Sequence, residues 1–206
     1  MKPYKFVNGE FSNEIEIKRS EFIATIKGVE NEDDAIAFVA KIKKKYSDAT
    51  HNCYAYIADD LGLSMRFSDD GEPSGTAGQP ILETLKKSEL KKTAAVVTRY
   101  FGGIKLGASG LVSAYTEAVA KCIEACDVRQ MEIAVKTRLK ATFSEWATLE
   151  NVVKKYGVVG DTDYLDGVTA YVYVKPENID SFLSDVNSKT AGKAIVETIN
   201  EEYYGF

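Results

Sequence analysis

The sequence is short of cysteine, histidine and positive charge, and each shortage excludes something. Its cysteines are Cys53, Cys122 and Cys126, an odd and sparse set in 206 residues. That argues against a disulfide framework and for a reducing compartment. The single histidine, His51, leaves zinc a poor donor set of two sulfurs and one imidazole. The net charge is -5 and the pI about 5.1. A protein that coats nucleic acid by bulk electrostatics is basic, so such a role here needs a local patch. No apolar run approaches membrane-spanning length. Residues 1–22 carry charges throughout, without the apolar core of a signal peptide. No repeat array or low-complexity tract is evident. The expectation is a cytoplasmic protein with no membrane segment.

What is present suits a soluble globular chain of one large domain or two small ones. Alternation at Ile15 and Ile17, then at Phe22, Ala24 and Ile26, predicts two half-buried strands. Residues 31–46 read as a helix: Asn31 caps, Glu32, Asp33 and Asp34 sit at the positive end of the dipole, and lysines sit at the other. Residues 53–68 read as a hairpin turning at 59–62. Residues 68–80, rich in Gly, Pro and acids, read as a loop, with a short helix opened by Pro80 over 80–88. The apolar run 93–101 suits a central strand, and 109–126 a helix.

The pattern resets near 127–131. Residues 133–143 alternate as a long strand with one apolar face and one basic face carrying Lys136, Arg138 and Lys140. A helix follows over 145–156, with Gly157 as its C-terminal cap. Then come a hairpin turning at Asp166-Gly167, a helix over 177–188 and a last strand over 194–200. The order β-α-β-β-α-β is the ferredoxin-like unit. Two domains are therefore expected, 1–128 and 131–206, in an α+β fold class.

The stretch "VTRYFGGIKLGASG" (97–110) asks the functional question. A strand, a glycine-rich loop and a helix make a common anion cradle, in which loop amides and the helix dipole favour negative charge. Gly102, Gly103, Gly107 and Gly110 allow close approach or positive φ, and Arg99, Lys105 and the Ser109 hydroxyl add donors. The phosphate-loop pattern fails, because Ala108-Ser109 stands where Lys-Ser is needed; the dinucleotide fingerprint fails too. A tight turn with packing glycines remains an equal reading. In "SDDGEPSGTAG" (68–78), Asp69, Asp70 and Glu72 suit either Mg²⁺, a pairing with Arg99 or Lys105, or solvated turn formers.

"SDDGEPSGTAGQPIL" (68–82), "VVTRYFGGIKLGASGLVSAY" (96–115) and "ATHNCYAY" (49–56) closely resemble signature stretches of the Impact family. The resemblance covers the whole chain, as in bacterial members with an Impact-type N-terminal domain and a small attached domain. It implies that the first domain has the α+β fold shared with a small-subunit ribosomal protein, ribonuclease PH and small-molecule kinases. It implies that the second resembles the ferredoxin-like domains of elongation factor G. Eukaryotic relatives regulate translation by competing for the activator of a kinase that acts on an initiation factor. The residues that carry over are the two loops: Asp69, Asp70, Gly71, Glu72, Pro73, Gly75, Thr76 and Gly78, then Arg99, Tyr100, Gly102, Gly103, Lys105, Leu106 and Gly107.

Three functions are weighed. The first is a non-enzymatic, translation-associated binding protein. It contacts RNA, the ribosome, another anionic ligand or a protein partner of the translation machinery. Its binding residues are Arg99, Tyr100, Gly102, Gly103, Lys105, Gly107 and Ser109, with Asp69, Asp70, Glu72, Ser74 and Thr76 as a second signature loop. A second candidate RNA face is the basic row Lys136, Arg138 and Lys140 with Tyr171 and Tyr173, provided 133–143 and 168–175 share a sheet. The alternative is a Mg²⁺-dependent phosphotransferase or hydrolase using the same loop. No general base stands out for it. The third is a pure protein–protein adaptor with both loops structural. No resident cofactor or metal is expected. His51 reads as a hydrogen-bonded strand residue, a reading that changes if the fold returns it to the glycine loop.

Overall fold

The computed structural model describes residues 3–206, and it opens with a strand the periodicity does not announce. β1 (Tyr4–Val7) has only four residues. Its backbone partners are remote: Lys5 N–H donates to the Glu89 carbonyl, Lys91 N–H donates to the Lys5 carbonyl, and the next residue, Asn8, donates to the Asp127 carbonyl. β2 (Glu10–Ile17) and β3 (Ser20–Gly28) form the expected hairpin. Their turn places Lys18 and Arg19 at positive φ, matching the strand twist. α1 (Glu32–Lys45) follows, with the Asn31 side chain accepting from the Asp34 amide. β4 (His51–Ile57) and β5 (Met65–Ser68) pair antiparallel. α2 (Gly78–Lys87), β6 (Thr93–Tyr100) and α3 (Gly107–Glu124) complete a unit spanning Tyr4–Gln130.

Its sheet runs β2-β3-β6-β4-β5. β6 is buried on both faces, which explains its unbroken apolar run. Ala95 and Val97 join Cys53, Ala55 and Ile57 in a core with Leu85, Leu111, Tyr115 and Val119 from α2 and α3. Ala94 and Val96 face the other way and pack with Tyr56 against Phe38 and Ile42 of α1. The sheet is thus sandwiched between α1 and the α2–α3 pair, and the start of β4 and the end of β6 lie beside the start of α3.

The second unit, Met131–Phe206, has its own core. β7 (Val128–Ala141), α4 (Phe143–Tyr156), β8 (Gly157–Asp163), β9 (Val168–Val174), α5 (Ile179–Thr190) and β10 (Ile195–Gly205) are arranged with strand order β10-β7-β9-β8, antiparallel throughout. Leu139, Ala170, Val172, Trp146, Leu149 and Phe182 fill the space between sheet and helices. The whole is a mixed α+β chain. Two local expectations are corrected. α4 starts at Phe143, not 145, because Thr142 and Glu145 form a reciprocal capping box. Gly157 follows α4 but is not a left-handed cap: its φ is -161, extended, and it leads directly into β8. Its lack of a side chain serves packing, since a Cβ there would lie 2.3 Å from the Tyr173 carbonyl oxygen.

Candidate functional site

A cleft of about 430 Å³ opens in the first unit where β6 runs out and α3 begins. That volume suits a small ligand. His51 enters from the start of β4, Arg99 from the end of β6, and the two are cross-strand neighbours. Glu72 and Pro73 reach in from the acidic loop. Phe101, Lys105, Leu106, Gly107, Ala108 and Leu111 come from the glycine turn and α3. The two signature loops therefore meet in one place, and the lone histidine stands between them.

The floor of the cleft is a buried ion pair. Arg99 Nη1 donates to Glu72 Oε1 at 2.6 Å, and their side chains are 6% and 3% exposed. Burial of both charges is tolerable because each has further partners. The Tyr115 hydroxyl donates to the same carboxylate oxygen at 2.7 Å, and Arg99 Nη2 donates to Ser20 Oγ at 3.4 Å. The Phe22 and Phe101 rings each lie 5.4 Å from the guanidinium carbon. One donor is left over: Arg99 Nε is buried and has no hydrogen-bond partner among the described residues. Cys53 lies below, with its sulfur 2.9 Å from the Asp69 carbonyl and 3.3 Å from the Tyr115 hydroxyl. Burial pushes the Cys53 thiol up to about 12, and the neighbouring carboxylates add to this while the Tyr115 hydrogen bond opposes it. It is an inert thiol, not a nucleophile. Burial likewise pushes the Tyr115 hydroxyl upward.

His51 is held by its other side. Its Nδ1 lies 2.9 Å from the Asp70 carbonyl oxygen, a bond that requires the proton on Nδ1. Nε2 is then the free ring nitrogen, 3.9 Å from Glu72 Oε2. Sequence reasoning set His51 aside because its adjacency to Arg99 and Glu72 depends on sheet register and loop path, neither visible in local spacing.

The acidic loop is folded around its own carboxylates. Asp69 accepts backbone amides from Gly75 at 2.9 Å, Ala77 at 3.0 Å and Gly78 at 2.8 Å. Asp70 accepts from Lys43 Nζ at 2.5 Å and from the Asn52 amide at 2.7 Å. Thr76 is turned inward, donating to the Pro73 carbonyl at 2.7 Å, while Ser74 is exposed. With Asp69 and Asp70 so engaged and Glu72 paired to Arg99, the Mg²⁺ site weighed from sequence lacks free ligands. Among the described residues no three His, Cys, Asp or Glu side chains group as a metal site.

Burial raises the Asp70 pKa, but the Lys43 and Asn52 hydrogen bonds outweigh it and hold the carboxyl below its ordinary value. A depressed folded value contributes stability that is fully present above about pH 4 and is lost as pH falls through the lowered value. Asp70→Asn is expected to flatten this part of the acid-unfolding profile while lowering stability at pH 7. Far-UV circular dichroism between pH 7 and pH 2 (about pH 4 is the decisive region) reads both effects, and an unchanged acid profile would contradict the assignment.

The glycine turn divides between packing and ligand-facing roles. A Cβ at Gly102 would sit 1.9 Å from the Arg19 carbonyl oxygen, so this glycine admits the β2–β3 turn. Gly103 and Gly107 have φ values of +85 and +74 with open space around them. Gly107 starts α3, whose N-terminal residues bring no side-chain cap and no acidic residue to the first turn. Lys105 is exposed and forms no ion pair among the described residues. Tyr100 points elsewhere, donating to Asp48 at 3.0 Å. Ser109 is exposed and Gly102, Gly103 and Tyr100 are outside the cleft lining. The structure therefore brings Arg99, Lys105 and Gly107 together with His51 and Glu72.

In the second unit, the basic row does lie opposite the aromatic one: Lys136 pairs with Tyr173, Arg138 with Tyr171 and Lys140 with Thr169. β10, however, supplies counter-charges. Glu202 bonds Lys136 at 3.3 Å and Glu197 bonds Arg138 in a close ion pair. Tyr204 stacks on Tyr173 with centroids 4.0 Å apart. The row is largely neutralised by its own sheet, and of its three cations only Lys140 shows no ion pair among the described residues.

Residues 18–123 match the family profile described as the Impact N-terminal domain, and residues 139–193 match a domain of unknown function, DUF1949. The chain is 38% identical over 186 residues to IMPACT family member YvyE of Bacillus subtilis, covering 90% of this chain and 86% of that protein. It is 34% identical over 192 residues to an IMPACT family member of Haemophilus influenzae, covering 90% and 92%. A protein IMPACT homolog of Dictyostelium discoideum is 37% identical over 94 residues, 44% of this chain and 27% of that protein. A crystal structure described as a hypothetical protein superposes with a TM-score of 0.62 at 30% identity, covering 98% of this chain and all of that one.

Proposed function

The chain belongs to the Impact family, and from that premise we propose that it is a cytoplasmic binding protein of the translation apparatus, taking RNA phosphate in the cleft at the start of α3. One observation carries the reading. At the cleft mouth Lys105, without an ion pair among the described residues, stands beside a helix N-terminus that has neither side-chain cap nor first-turn acid. Free amides and dipole at such a terminus attract an anion, and a nearby ammonium adds a mobile donor. Glu72 does not spoil the field, because Arg99 neutralises it within the floor. The carboxylates that an Mg²⁺-dependent phosphotransferase would need are engaged inside the loop, so the enzyme alternative in that form has less support.

The same reading extends to architecture. The strand order β10-β7-β9-β8 supports a ferredoxin-like second unit of the kind found in elongation factor G, and the helix-flanked antiparallel first sheet supports the ribosomal-protein and ribonuclease PH type. Because β10 neutralises the basic row, the main RNA contact is assigned to the first unit.

A fluorescein-labelled single-stranded RNA titrated by anisotropy tests this. The affinity should fall with salt, and Lys105→Ala should weaken it roughly tenfold and lower the salt slope by about one. Binding that ignores both salt and Lys105 would defeat the proposal.

A further inference from the structure

The cleft contains more than a binding site for phosphate requires. Two acceptor atoms, His51 Nε2 and Glu72 Oε2, lie 3.9 Å apart in side chains that both line it. Glu72 Oε1 is already occupied by Arg99 and Tyr115, so Oε2 is the oxygen left over. The Asp70 carbonyl accepts from Nδ1, so in the neutral ring the lone pair lies on Nε2. Arg99, 5% exposed and part of the same lining, holds an unpartnered Nε. A buried guanidinium with an unpaired donor is costly to maintain unless a ligand or water completes it. An imidazole anchored through Nδ1, a carboxylate beside its other nitrogen and cationic donors at the cleft mouth form a set suited to remove a proton next to a phosphoryl group.

We propose that this cleft cleaves RNA, with His51 as the proton acceptor. The inference rests on the RNA-binding reading above. An RNA strand brings its own nucleophile, a ribose 2′-hydroxyl beside the phosphate, so no bound metal or activated water is needed. His51 Nε2 takes the 2′-hydroxyl proton, and the imidazolium formed is stabilised by Glu72 Oε2. The 2′-oxygen forms a bond to phosphorus, the bond from phosphorus to the 5′-oxygen breaks, and that oxygen takes a proton from water. The products are a 2′,3′-cyclic phosphate and a 5′-hydroxyl end. His51 returns its proton to solvent. Lys105 and the first amides of α3 hold the charge that builds on the phosphoryl oxygens. Glu72 touches the proton acceptor and not the RNA, so it is a positioning residue.

The full chain is incubated with a 5′-labelled single-stranded RNA in EDTA, and products are resolved by gel and mass. Cleavage with cyclic-phosphate ends is expected, and none on the same strand made with 2′-deoxyribose. His51→Asn places an amide nitrogen near Nδ1, so it keeps the bond to the Asp70 carbonyl but has no base. It should cut at least about a hundredfold more slowly, a far larger loss than any change in RNA affinity measured beside it. RNA that is bound but never cut overturns this inference and leaves the binding proposal standing. RNA neither bound nor cut overturns both. Cutting that survives His51→Asn, or that acts on the 2′-deoxy strand, overturns the assignment of His51 and of the 2′-hydroxyl.

Discussion

Glu72→Ala is expected to destabilise the first unit by about 3–5 kcal/mol, the usual cost of leaving a buried charge without its partner. The substitution strands the Arg99 guanidinium, whose side chain is 6% exposed, and removes the acceptor of the Tyr115 hydroxyl. Both groups are buried, so water replaces the lost bonds poorly. The partner variant distinguishes the pair from a generic core defect. Glu72→Leu combined with Arg99→Met removes both charges and keeps much of the volume, so it should recover a large part of the loss. The sole tryptophan, Trp146, lies in the second unit's core, so a probe within the first unit is needed. Amide hydrogen exchange at β6, with circular dichroism in urea, is the appropriate measurement. If the single variant loses under about 1 kcal/mol and the double gains nothing, the pair is a solvated surface contact and the site must be redrawn.

That experiment concerns a contact the sequence suggested but did not decide. Glu72 with Arg99 was one of several pairings open to the acidic loop. What local spacing does encode is visible in α1, where Asn31, three acids and the terminal lysines define both ends. It is visible again in β7 and β9, whose alternation puts the basic and tyrosine rows on one face if the strands share a sheet; the pairing of Lys136 with Tyr173 and Arg138 with Tyr171 is seen only in the fold. Spacing fails where the partner is remote. β1 is a strand because its partners, β7 and the residues Glu89 and Lys91, lie far along the chain, and β10 runs on through 205 because β7 is long enough to pair it. The glutamates of β10 look like general dilution of charge in the sequence; in the fold they are specific counter-ions. Two adjacent glycines look alike on paper, yet Gly102 is required by the Arg19 backbone and Gly103 by its own φ. His51 could be placed only once β4 and β6 were paired.

Asp69 gives the second large effect, and it shows why an acidic signature can be structural and still control function. α2 starts without a side-chain cap of its own: its N-cap residue is Ala77. Asp69 supplies the missing acceptor from the far end of the loop, taking the Ala77 and Gly78 amides on one oxygen and the Gly75 amide on the other. A carboxylate at that position also opposes the helix dipole favourably. Hydrogen bonds to a charged acceptor contribute about 1.5–3 kcal/mol each. They are not additive within one carboxylate, so Asp69→Ala is expected to cost about 3–4 kcal/mol. Asp69→Asn should do little better, because its amide nitrogen would face a backbone N–H where an acceptor is needed. The loop that Asp69 shapes carries Glu72 to Arg99, and the Asp70 carbonyl to His51. RNA affinity should therefore fall in both variants even though Asp69 is absent from the cleft lining. Hydrogen exchange at Gly75, Ala77 and Gly78, read beside the anisotropy titration, links the two effects. An Asp69→Asn chain with full protection at those amides would show that a neutral acceptor suffices. The charge at the head of α2 would then have to be explained by the ligand and not by the loop.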